Sequence, residues 1–105
     1  MSPFTVHENT NPATRAAVPL LLNVQSDLIE ELGTRVVVPL YPVGDIPGKT
    51  MRILTPIFDI DAERYVMMTP QLAGIQKKLL GPAVADLSAH REDIIAALDL
   101  LITGI

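Results

Sequence analysis

Apolar positions come along this chain in short bursts, and only the last burst has a helical period. Phe4-Thr5-Val6-His7 alternates apolar and polar, which predicts a short strand. Glu8 to Arg15 holds Asn9, Asn11 and Pro12 and predicts a loop. Val18 to Val24 is apolar apart from Pro19 and a closing Asn23; the proline predicts an edge strand or a strand start. After Gln25-Ser26-Asp27, the run Leu28 to Leu32 ends at Gly33 and is too short for more than a turn. Arg35 to Tyr41, with three successive valines, is the strongest strand. Pro42 to Gly48 is a loop, and Met51 to Leu54 is read as the second arm of a hairpin. Ile57 to Ile60 and Tyr65 to Met68 flank the charged turn Asp61 to Arg64, which predicts another hairpin. Thr69-Pro70 suits a helix start, Thr69 as cap, and Ile75 to Leu80 is a last weak strand ending at Gly81-Pro82.

The C-terminus follows a different rule. Ser88 is an N-cap candidate, and Glu92 and Asp93 stand where a helix dipole favours acids. Ile94, Leu98, Leu101, Ile102 and Ile105 fall on one helical stripe, while Ile95, Ala96, Ala97 and Leu100 fill other faces. Beyond Asp93 the polar side chains are Asp99 and Thr103, which share a face. A helix apolar on nearly every side must be covered more than once. One side goes to the strands; a second copy of the chain is the expected cover for the other, with Ile94, Leu98, Leu101, Ile102 and Ile105 as its interface. Gly104-Ile105 follow directly, so the last helical carbonyls are expected to be uncapped, and the tip is either a frayed, exposed end or one presented to a partner.

Composition sharpens this picture. The chain has 105 residues, enough for one domain, and 49% of them are hydrophobic against 19% charged. So apolar a short chain points either to an efficient core or to surface buried against a partner. The net charge of −4 and the scattered basic residues argue against direct nucleic-acid binding, which needs a basic face. The absence of cysteine excludes disulfides and thiolate chemistry. Met1 to Ala16 lacks the apolar segment of a signal peptide, and no apolar run approaches the roughly 18 residues of a membrane span. A cytoplasmic protein is expected, with no membrane association.

Catalytic equipment is sparse. His7 and His90, one near each end, read as ordinary surface residues rather than a metal pair. Asp59, Asp61 and Glu63 gather at a hairpin turn; carboxylates can serve acid–base chemistry or bind cations, but turns favour such residues anyway. Ser26-Asp27 lacks a nucleophile elbow, the glycines form no phosphate loop, and Met67-Met68-Thr69 reads as packing. No metal, no cofactor and no catalytic residue are expected. The unusual side chains are Leu28 and Ile29, which follow a polar segment and stand outside the pattern feeding the core.

Val24-Gln25-Ser26-Asp27-Leu28-Ile29, Arg35 to Leu40 (RVVVPL), Met67-Met68-Thr69, Val84-Ala85-Asp86-Leu87-Ser88 and the terminal Gly104-Ile105 resemble the CcdB toxins of toxin–antitoxin operons. The motifs are individually weak; their order and spacing are specific, and from Val24 onward the resemblance needs no gap. The loop Asn9 to Ala17 departs from it and is longer here. The resemblance implies a mainly β fold, an SH3-like barrel with a C-terminal helix, in one domain over residues 1–105. It further implies a homodimer, the A subunit of DNA gyrase as target, and an antitoxin of the CcdA kind whose disordered segment wraps the toxin. It implies as well that the pair represses its own operon, with DNA contacted only through the antitoxin. The gyrase-facing surface carried over is Ser26, Leu28, Ile29, Asp99, Ile102, Thr103, Gly104 and Ile105. The family's best-known member has tryptophan where this chain has Thr103 and asparagine where it has Asp99. Tryptophan can stack on a cation, a contact of about 0.5–2 kcal/mol, and threonine cannot. The implied gyrase contact is therefore weaker, rearranged or lost at that point.

The same fold serves the MazF- and Kid-like toxins that cleave mRNA. That alternative needs arginine and acid–base residues in a basic groove; Arg64 beside Glu63 is the only adjacent pair near the hairpin, and the acidic balance opposes it. A relative that binds antitoxin without toxicity is the third reading.

Overall fold

A computed structural model describes residues 3–29, 31–45 and 51–104. Seven strands are described: β1 (Thr5–Asn9), β2 (Leu20–Asn23), β3 (Thr34–Pro42), β4 (Ile57–Ile60), β5 (Glu63–Met67), β6 (Ala73–Gln76) and β7 (Leu80–Asp86). One helix, α1 (Arg91–Thr103), ends the chain. The strands form one antiparallel curled sheet in the order β4-β5-β3-β2-β1-β7, with β6 also on β3. This is the mainly β half-barrel with a C-terminal helix expected of an SH3-like fold.

The long strand β3 organises the sheet. Along one side it pairs with β2, from Leu20↔Leu40 to Asn23↔Val37. Along the other it pairs first with β6, Thr34↔Gln76 to Val37↔Ala73, and then with β5, Leu40↔Met67 to Pro42↔Tyr65. Pro39 sits between the two partners. Its carbonyl takes the Met68 N–H at 3.0 Å, so its missing N–H falls where no partner strand asks for one.

The apolar runs are continuous because the sheet is buried on both faces. Leu20, Leu22, Val38 and Leu40 point into the main core with Val6, Phe58, Ile60, Met67, Leu87, Ile94 and Ala97. Leu21 and Val37, one residue out of phase, point the other way and meet Val18, with Tyr41, Ile75 and Leu80 packed around them. The strand after Pro19 is thus interior, between β1 and β3, and the proline marks its start rather than an edge.

Four expectations need correction. Met51 to Leu54 is no hairpin arm: the segment turns, and Thr55 Oγ1 closes it by accepting the Met51 N–H at 2.6 Å and donating to the Met51 carbonyl at 2.9 Å. The β4–β5 turn has two residues, not four: Ile60 pairs with Glu63, and Asp61 and Ala62 take φ of 51° and 67°. Positive φ at both positions gives the turn the twist a hairpin needs. Gly81-Pro82 does not end a strand but lies inside β7, which among the described strands pairs only with β1, through two register shifts. A missing N–H is tolerated on such an edge, and a Cβ at Gly81 would stand 3.0 Å from the Glu8 carbonyl oxygen. Finally, Thr69 is the first residue of its turn, Thr69–Gln71, and Met68 occupies the cap.

Candidate functional site

The helix is where sequence pattern and structure part most usefully. Ser88 does not cap α1. Its N–H is held by the Asp86 carboxylate at 2.8 Å, a short helical turn Ser88–His90 follows, and the helix proper begins at Arg91. The two hydrogen bonds from Ser88, backbone first and then side chain, hold the Asp86 carboxyl below its usual range. Arg91 lies over the Phe4 ring at 5.5 Å and His90 packs on Phe58 at 5.0 Å, fastening this end of the helix to the sheet.

From there the apolar stripe divides. Ile94 and Ala97 are fully buried in the chain's own core, with Ile95 and Leu98 packed against it. Leu101 is 38% exposed and Ile102 75%. The sheet covers the first half of the helix and stops; the last turn stands clear. Ile94 consequently has no surface to offer a second copy, which corrects its place in the expected dimer interface. Leu98, Leu101 and Ile102 keep surface for one, and Ile105 lies outside the described residues.

The tip is ordered by its own backbone. Gly104, at φ 75°, donates its N–H to the Leu100 carbonyl at 3.1 Å. It is a left-handed cap, so the end expected to be uncapped has one. The Thr103 hydroxyl donates to the Asp99 carbonyl at 2.7 Å. Asp99, Ile102, Thr103 and Gly104 are all exposed.

The second predicted patch lies on the turn Asp27–Ile29 after β2. Gln25 is buried and accepts the Val36 N–H through Oε1 at 3.0 Å, which anchors the chain to β3 just before it swings out. Ser26 Oγ accepts the Leu28 N–H at 3.1 Å and shapes the turn. Leu28 is left 94% exposed, and the side chain of Ile29 lies outside the described residues. Val24 and Leu98 pack on the same core, but no described hydrogen bond joins the Leu28 turn to the helix tip. Each is a separate apolar projection.

Sequence reasoning missed a groove of about 520 Å³ on the flank of α1, lined by Arg52, Ile53, Thr55, Pro56, Ile57, Asp93 and Ala96. The available signal was Ala96, a small exposed residue between the large aliphatics Ile95 and Leu98. A second cleft, about 210 Å³, opens between Tyr41, Ile75 and the loop that departs from the family pattern. That loop is pinned by Asn9, whose Nδ2 donates to Thr14 Oγ1 at 3.0 Å and to the Val18 carbonyl at 2.8 Å.

The chemistry-bearing candidates do not converge. His7 is buried, not a surface residue; its Nδ1 donates to the Gly81 carbonyl at 3.0 Å. Asp59 pairs with Arg64 at 3.4 Å on an exposed hairpin. Tyr65 donates to Glu63 at 3.0 Å. Burial, that hydrogen bond and the charges of Glu63 and Asp61, in that order, push its phenol up. Among the described residues no three His, Cys, Asp or Glu side chains gather to hold a metal ion, and no helix is long and apolar enough to cross a membrane. A family model for the CcdB protein matches residues 3–104, almost the whole length over which the curled sheet, the exposed turn after β2 and the projecting helix were described. The chain therefore belongs to the CcdB family.

Proposed function

We propose that this chain poisons DNA gyrase by binding its A subunit through the tip of α1 and the turn after β2, and that it does so without catalysis. Family membership makes it the toxin of a toxin–antitoxin pair; the target and the mode of action are our reading. The observation that carries it is the exposure of large aliphatic side chains on well-anchored elements: Leu28 at 94% and Ile102 at 75%. Aliphatic groups exposed in the folded chain add little to its own stability, and where they gather into patches they mark partner surfaces. Ser26, Leu28, Ile29, Asp99, Ile102, Thr103, Gly104 and Ile105 form the proposed surface. A homodimer through Leu98, Leu101, Ile102 and Ile105 accompanies it in the cytoplasm, and an antitoxin of the CcdA kind releases the toxin and carries the DNA contacts of the repressing complex.

The test is a supercoiled-plasmid cleavage assay with purified gyrase, run beside an RNA cleavage assay. Linear DNA accumulating only with the toxin is the expected result. RNA cleavage without trapped gyrase would move the protein to the ribonuclease class and direct attention to Asp59, Asp61, Glu63 and Arg64. Neither activity, with antitoxin still bound, would make it a non-toxic relative.

A further inference from the structure

We infer that the cleft between Tyr41, Ile75 and the loop after β1 is a binding site for a small uncharged aromatic molecule of one or two rings. Its floor is Val18 and Leu21, which belong to the second core and are almost fully buried. Pro39, Ile75 and Leu79 form its sides. Apolar side chains so placed ordinarily close on one another, because protein interiors tolerate few voids larger than a water molecule. Here the covering loop is held by hydrogen bonds and does not pack down. The buried Asn9 spends its side chain on the loop, donating from Nδ2 to Thr14 Oγ1 and the Val18 carbonyl and accepting the Asn11 N–H through Oδ1 at 3.0 Å. Thr10 ties the same loop to the turn before β7, donating to the Leu79 carbonyl from Oγ1 at 2.8 Å and from its N–H at 3.3 Å.

The lining defines the ligand. None of the residues lining this cleft is charged, whereas the groove beside α1 carries Arg52 and Asp93. An ionised ligand would lose its water here and gain no counter-charge. The volume is about 210 Å³. Sites for drug-sized ligands run to roughly 300–1,000 Å³, and a closed apolar cavity of about 150 Å³ holds one benzene. The space therefore fits a single ring or two fused rings. At the mouth the Tyr41 hydroxyl donates to Gln71 Oε1 at 2.6 Å. That leaves the phenol oxygen as an acceptor and Gln71 Nε2 as a donor, a match for one hydroxyl or ring N–H on the ligand. A protein partner fits less well. Leu28, Ile53, Ile102 and the other large exposed aliphatics of the described chain all lie outside the lining, so the cleft lacks the apolar flank of a protein interface.

The experiment is an NMR titration of the full chain with phenol, indole, toluene and benzoate. Phenol and indole should saturate with dissociation constants of about 1 mM or tighter and shift the backbone amides of Val18, Leu21 and Ile75. Benzoate should bind at least about tenfold more weakly. Tyr41→Phe should weaken phenol about fivefold and leave toluene unchanged, since only phenol uses the mouth. Leu79→Trp fills the cleft and should abolish binding of every probe; circular dichroism checks that it folds, and Tyr41→Phe carries the test if it does not. Any of four results overturns the inference: no saturable binding, equal affinity for benzoate and phenol, shifts centred on Leu28 or Ile102, or phenol binding unchanged in Tyr41→Phe or in folded Leu79→Trp. N-acetyltryptophanamide binding more tightly than indole would assign the cleft to a tryptophan side chain of a partner protein and also reject it.

Discussion

Ile94 and Ile102 are chemically identical, lie eight residues apart on one helix, and should behave in opposite ways when truncated. Ile94 is 0% exposed and packs in the core shared by Phe4, Val6, Leu87 and Ala97. Ile94→Ala removes buried methyl and methylene groups and leaves a cavity that the sheet and helix cannot close. The cost of such a truncation is about 2–5 kcal/mol. With a urea dependence of about 1.5 kcal/mol per molar, a loss near 3 kcal/mol lowers the unfolding midpoint by about 2 M. Ile102→Ala removes the same atoms from a side chain already three-quarters in water, and should change the midpoint by less than about 0.5 kcal/mol equivalent. The assay is urea unfolding followed by circular dichroism, repeated over a hundredfold range of protein concentration. The concentration series separates the fold from the dimer: if Ile102 helps to hold a second copy, its truncation reduces the dependence of the midpoint on concentration. The gyrase cleavage assay should rank the variants in reverse, with folded Ile94→Ala still poisoning at a permissive temperature and Ile102→Ala impaired. A concentration-independent loss at Ile102 equal to that at Ile94 would refute the division of the helix into a fastened half and a presented half.

Three further outcomes follow from local geometry. Ala62→Gly should stabilise the protein by about 1 kcal/mol in thermal melts, because Ala62 sits at φ 67° in the β4–β5 turn, where a Cβ is unfavourable. Gly81→Ala should destabilise by about 1–3 kcal/mol, since the new Cβ would lie 2.8 Å from Thr10 Cγ2 and 3.0 Å from the Glu8 backbone oxygen; a neutral substitution would show that the β1–β7 pairing is free to move. Asp86 has its carboxyl held below the usual range by its bonds to Ser88. Its contribution is therefore complete above about pH 4, the ordinary carboxylate range, and is lost as pH falls through the lower folded value. Asp86→Asn should flatten that part of the acid limb of a midpoint-against-pH curve, and identical limbs would deny the linkage.

The elements that local rules govern were legible in the amino-acid order. Three consecutive valines gave the long central strand, the apolar runs around Asp61 to Arg64 gave the hairpin, and the 3.6-residue stripe from Ile94 gave the helix. Leu28 follows the polar segment Gln25-Ser26-Asp27 and emerges exposed, as that position suggested; Ile102 entered the candidate surface through the family resemblance and is exposed as well. What pattern alone could not decide is where one element stops covering another. A stripe of five apolar residues looks uniform along a helix, but the sheet extends under only its first half, so Ile94 becomes core and Ile102 becomes surface. Strand β7 was hidden for the complementary reason. Gly81-Pro82 has every local mark of a strand end, and only its position on the outer side of β1 makes the missing N–H harmless and the missing Cβ necessary. Met51 to Leu54 has the composition of a strand and turns instead, because Thr55 closes it onto Met51 before a partner strand is reached. Local propensity fixes what a segment can become; burial depends on what arrives beside it, and that is decided only when the sheet curls.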